Sequence, residues 1–145
     1  MNNNESSNGI QDILKVILML QQNVCCEEGL DTCDRPMLGG SGTCLSCNTR
    51  PVMLYTKGSN GVPFSMPTLK DATTNCSGDG ITDTCSTVFR VEKVDDNCCT
   101  FRVLAPNTDT TSLYPYVATN SFFTMNTSCL CAIRCLSDTY VDCVC

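Results

Sequence analysis

A chain of 145 residues with 42% hydrophobic and 17% charged side chains has apolar material for one globular domain and is not disordered in composition. A net charge of −6, with nine lysines and arginines scattered along the chain, excludes the clustered basic footprint that nucleic acid requires. Fourteen cysteines and no histidine exclude histidine-based triads and mixed Cys/His zinc sites, and match the cysteine density of a disulfide scaffold.

Residues 1–8 are rich in Asn and Ser and read as a disordered tail. An amphipathic helix is expected over 9–24, because Ile10, Ile13, Leu14, Ile17 and Leu20 recur at helical spacing, with Ser7 or Asn8 as its N-cap. The favoured role of that stripe is packing on the domain's own core; the alternative is packing on a neighbouring subunit. The start of the chain lacks a basic n-region, carries Glu5 and shows no small-x-small cleavage site, so no secretory signal is expected. A chain made in a reducing cytosol, yet furnished with cysteines suited to oxidation, is the main clue to function.

Residues 25–50 form a cysteine-rich loop punctuated by Gly29, Pro36, Gly39, Gly40 and Gly42. Residues 51–137 carry the β core. PVMLYTK (51–57) reads as a strand ended by the turn material GSNG. In STVFRVEKVDDNCCTFRVLAP (86–106) two β-rich runs flank Asp95-Asp96-Asn97. A three-residue loop pairs Phe89 with Val103 and Val91 with Phe101 on an apolar face. The other face then sets Arg90 opposite Arg102 and Glu92 opposite Thr100; an even loop would mix the faces. SFFTM and CLCAIRCL give a further strand pair, the last covered on both sides. The expected fold is mainly β: a single-domain, disulfide-stapled β-sandwich of six to eight strands with one N-terminal helix. Residues 138–145 form a cysteine-bearing tail.

Four uses of the cysteines compete. Cys44/Cys47 and Cys131/Cys135 are the nearest approach to zinc knuckles, but nothing completes a confident tetrahedral set, so no metal or other cofactor is expected. CLSC (44–47) lacks the helix that activates a thioredoxin-type thiol, and Cys44 and Cys47 are assigned to a loop staple. No catalytic residue is assigned: Asp95 and Asp96 are explained by their turn, and SGDG and GGSG lack the spacing of a phosphate loop. Disulfides remain. Neighbouring side chains of an extended Cys98-Cys99 point to opposite faces. Cys25, Cys26, Cys143 and Cys145 lie near chain ends expected to be mobile and are assigned to bonds between molecules. The alternative is a wholly internal set of seven bridges among the 14 cysteines.

Three blocks, NTRPVMLYTK (48–57), FRVEKVDDNCCTFRVL (89–104) and TSCLCAIRCL (127–136), resemble the CotY, CotZ and ExsY family of bacterial spore coat proteins. The likeness covers about residues 10–137; the 105–121 connection and the tail DTYVDCVC depart from it. Cys98, Cys99, Cys129, Cys131 and Cys135 match the family's cysteine-bearing blocks. Cys98 or Cys99 with the 129–135 cluster is taken as the internal staples. The resemblance implies a structural protein of the endospore surface, in the outer coat or crust or the exosporium basal layer. It implies self-assembly into disulfide-locked two-dimensional sheets of hexameric rings, with other coat proteins as partners and no nucleic acid. It also implies synthesis in the mother cell cytosol. A monomeric disulfide-rich binding module and a metal-thiolate protein are the alternatives.

Overall fold

The computed structural model describes residues 9–25, 47–78 and 80–145, and for Cys25 the backbone alone. The tail at 1–8, the proposed N-caps Ser7 and Asn8, and Cys26 and Cys44 lie outside the described residues. The fold is mainly β with one N-terminal helix, α1 (Gly9–Cys25). The strands are β1 (Val52–Thr56), β2 (Met66–Pro67), β3 (Cys85–Ser86), β4 (Phe89–Val94), β5 (Cys98–Pro106), β6 (Tyr116–Asn126) and β7 (Leu130–Cys135). Five strands form one sheet in the order β6-β5-β4-β1-β7; β2 and β3 form a separate two-stranded ladder. The pairings are antiparallel throughout.

Strand alternation places Val52 and Leu54, Phe89 and Val91, and Cys99, Phe101 and Val103 on one face, where all are buried. Leu14 and Ile17 of α1 pack on that face, while Phe64 comes from the segment leading into the ladder and Met66 from β2 itself. Phe101 stacks on Phe123 at 5.2 Å between centroids, and Phe89 meets the same ring edge-on at 4.9 Å. The opposite face has its own smaller core of Val88, Leu104 and Val141.

Two glutamines fasten the helix. Gln11 Nε2 donates to the carbonyl of Asp95 at 2.6 Å and to that of Asp96. Gln21 Nε2 donates to the Val91 carbonyl at 2.8 Å, and its Oε1 accepts from the Arg50 amide at 3.1 Å. Inward-facing α1 thus reads Ile10, Gln11, Leu14, Ile17, Leu18, Gln21. Ile13 and Leu20, expected on the buried stripe, face solvent instead.

The β4–β5 hairpin keeps the expected pairs Phe89–Val103, Arg90–Arg102 and Val91–Phe101. Its turn differs. The Asp95 amide donates to the Cys98 carbonyl at 2.8 Å, leaving Asp96-Asn97 as a two-residue turn. A bulge between Val91 and Lys93 absorbs the missing residue, so Thr100 faces Lys93 rather than Glu92. The faces stay unmixed because the bulge, not an odd loop, corrects the register.

Glu92, set at that bulge, answers an electrostatic problem. Arg90 and Arg102 are direct cross-strand neighbours, an unfavourable like-charge pair. Glu92 Oε2 accepts from Arg90 at 2.9 Å and from Arg102 at 2.9 Å, joining both cations to one carboxylate. Arg90 is buried; it also donates to Thr49 Oγ1 at 2.9 Å and the Asn48 carbonyl at 3.1 Å. Burial pushes its pKa below the ordinary guanidinium value, opposed by Glu92.

Candidate functional site

The candidate functional groups of this chain are its cysteines, and the structure sorts them by element. Cys76 and Cys85 form a disulfide with 5.8 Å between Cα atoms, tying the 76–85 loop to β3. Cys47 and Cys145 are also disulfide-bonded. Cys98, Cys99, Cys129, Cys131, Cys135 and Cys143 are free thiols. Within the vicinal pair, Cys99 points into the core and Cys98 is half-buried on the other face. Burial pushes the Cys99 thiol up to about 11, so it is held protonated and unreactive.

The expected staple between Cys98 or Cys99 and the 129–135 cluster is not formed, since all five carry free thiols. For Cys135 the geometry explains this. It pairs with Val52, which pairs with Phe89 and so with Val103, two strands and several residues away from Cys98 and Cys99. A disulfide requires Cα atoms within about 7 Å.

Cys129, Cys131 and Cys135 are exposed at or on β7. The strand is an edge of the five-stranded sheet, paired with β1 alone. The sequence reading expected it to be covered on both sides; Cys131, Ala132, Arg134 and Cys135 are all exposed, because no further strand lies beyond β7 among the described residues. Leu130 and Ile133 supply its packing on the core. A bulge opposite Tyr55/Thr56 leaves Cys131 without a partner on β1.

The C-terminal segment is docked, contrary to the mobile arm expected from its position. Thr49 and Thr139 form an antiparallel bridge. The Asn48 side chain imitates a strand, donating from Nδ2 to the Val141 carbonyl at 2.8 Å and accepting the Val141 amide on Oδ1 at 2.9 Å. Arg50 adds a two-pronged ion pair to Asp138 at 2.7 and 2.9 Å, which holds the Asp138 carboxyl below the usual carboxylate range. Cys145, assigned to bonds between molecules, is therefore an internally bonded cysteine of a docked segment, while Cys143 is a free exposed thiol at φ 66°. Of Cys25, only the backbone at the end of α1 is described.

A second surface feature was not foreseen. The outward side of α1 exposes Ile13, Val16, Met19, Leu20 and Val24, with Met19 at 59%. Residues 13, 16, 20 and 24 fall at i, i+3, i+7 and i+11, so a helical plot contains this stripe alongside the buried one. Its signal was masked by treating the helix as having one apolar face.

The open depression of about 460 Å³ between Thr68, Lys70, Arg102, Asn120 and Cys143 holds no acid/base pair, and Arg102 is committed to Glu92 and the Thr119 carbonyl. Among the described residues no group of three or more Cys, Asp or Glu could hold a metal ion, and no helix is long and apolar enough to cross a membrane. A family model described as Spore coat protein Z matches residues 1–115. Neither a curated protein nor a solved structure matches the chain.

Proposed function

The chain belongs to the spore coat protein Z family, a structural family of the spore surface, and from that premise we propose that it builds an ordered shell by self-assembly. In this reading protomers associate through apolar and edge contacts, and disulfides between them then remove the off-rate. The shell is a two-dimensional lattice of ring-shaped, hexameric oligomers in the outer coat, crust or exosporium basal layer, with other coat proteins as further partners.

One observation carries the proposal: a folded core coexists, among the described residues, with a surface bearing free thiols and an exposed apolar helix face. Four exposed free cysteines among the described residues are costly to keep in a chain that will meet oxygen unless oxidation is their purpose. Summed over five side chains, the outward stripe of α1 amounts to roughly 400 Å² of apolar surface, at the size that marks interaction sites on soluble proteins. The negative net charge keeps free protomers soluble until contacts accumulate.

Negative-stain electron microscopy of the recombinant protein with and without reductant, beside a non-reducing gel, tests this. Sheets or rings with covalent ladders that collapse under reductant are expected. Monodisperse monomer in both conditions would refute it and favour the binding-module reading.

A further inference from the structure

The shell proposal leaves open which surface joins two copies, and β7 carries an answer in its sequence. The Leu136 amide donates to the Pro51 carbonyl, so the backbone groups of Ala132, Arg134 and Leu136 point toward β1 as far as the bulge at Cys131, below which the Cys129 carbonyl accepts the Lys57 amide. In agreement, the Leu54 carbonyl, opposite Ile133, is taken by the Phe64 amide instead. The N–H and C=O groups of Ile133 and Cys135 are therefore directed away from β1, along the open edge, with Cys131 next to them in the bulge. An edge that presents such a row is a template for another strand.

LCAIRC is self-complementary about Ile133. In an antiparallel pair of identical strands centred there, position 131 of each copy lies opposite 135 of the other. Ile133 meets Ile133, and Arg134 meets Ala132, so the strand's one cation never faces itself. Cys131 and Cys135 become direct cross-strand neighbours, whose Cα atoms in an antiparallel ladder sit about 4.5–5.5 Å apart, inside the disulfide range. Both thiols are exposed and free.

Resting on the self-assembly reading, we propose that β7 is the two-fold interface between copies of this chain, closed by two symmetrical Cys131–Cys135 disulfides. Four thiols lose four protons and four electrons, which reduce one dioxygen to two waters. The edge hydrogen bonds hold the register, and the bonds form only when it is correct. This reassigns two cysteines from internal staples to the seam between molecules.

The symmetry gives a complementation test. Cys131→Ser and Cys135→Ser chains, each oxidised in air alone, are expected to lose the linkage, because each retains only one partner of every pair. Mixed in equal amounts, they are expected to recover it, in about half of the dimers and with one bond each. The readout is a non-reducing gel with tandem mass spectrometry of the undigested-disulfide peptides, using isotopically light and heavy chains to prove that bonds cross between molecules. Retention of bonds between like residues in either single variant overturns the proposed register. Failure of the mixture while wild-type chains cross-link elsewhere overturns the proposal but leaves self-assembly standing. Wild-type chains that neither associate nor cross-link overturn both.

Discussion

Removing the carboxylate that joins Arg90 and Arg102 is the sharpest test of how the sheet is held. Glu92→Gln keeps size and hydrogen-bonding capacity but leaves two guanidinium groups facing each other across β4 and β5. Side-chain exposures are 4% for Arg90, 19% for Glu92 and 15% for Arg102, so water screens the group poorly. Charge centres about 4 Å apart interact by about 4 kcal/mol at an effective dielectric of 20, and part of that is offset by the cost of burial. Arg90 retains Thr49 and the Asn48 carbonyl, and Arg102 retains the Thr119 carbonyl and its stacking on Phe122 at 4.5 Å. These remaining contacts place the loss at the low end of the range for a broken buried pair, about 3 kcal/mol. At this chain length that lowers Tm by roughly 6–12 °C, measurable by calorimetry under reductant so that assembly does not interfere. Adding Arg102→Gln to the variant is expected to return part of the stability, since the repulsion then vanishes. A Tm within about 2 °C of wild type for Glu92→Gln, or a double variant less stable than the single, would refute the reasoning.

Other expectations follow from the same contacts. Asn48→Ala unpairs two buried backbone groups of Val141 and should cost about 2–3 kcal/mol, with hydrogen exchange accelerating in residues 139–145 ahead of the sheet. Cys99 binds its proton more tightly folded than unfolded, with a folded value of about 11. Its contribution is complete below its ordinary pKa and is lost as pH rises toward that value. Denaturant titrations at neutral and strongly alkaline pH should show wild type losing about 2–3 kcal/mol more than Cys99→Val. A Val16→Lys, Met19→Lys chain should keep its Tm but associate more weakly under reductant in sedimentation velocity; unchanged association would remove α1 from the interface. Gly78→Ala combines a φ of +80° with a new Cβ about 2.6 Å from the Pro63 carbonyl oxygen, and should destabilise by about 1–3 kcal/mol in the same denaturant assay.

The hairpin shows both the reach and the limit of reading the sequence. Phe89, Val91, Phe101 and Val103 could be set on one face because period-two burial demands it, whatever the turn does. The turn itself was misjudged because a bulge at Glu92 and a two-residue loop produce the same facial pattern as a three-residue loop. Alternation therefore determines faces and leaves the means of achieving them undetermined. The helix failed differently: Gln11 and Gln21 are polar by type yet buried, because each answers backbone groups at the hairpin turn and on β4 that no local pattern reveals. The thiols were hardest. Proximity to a chain end was taken as mobility for Cys143 and Cys145, whereas Asn48, nearly a hundred positions away, docks that segment. Exposure of Cys131 and Cys135 depends on β7 being an edge, which is a property of strand order and not of the strand's own residues.

That strand order also has a temporal meaning. β7 is synthesised after every other strand of its sheet, and its partner β1 before all of them. While translation proceeds, β1 waits with Met53, Leu54 and Tyr55 unpaired on one side, and the sheet cannot reach its final width. Pairings this remote in sequence close late. The strand proposed as the seam takes its place in the sheet only after every other strand of that sheet has been made.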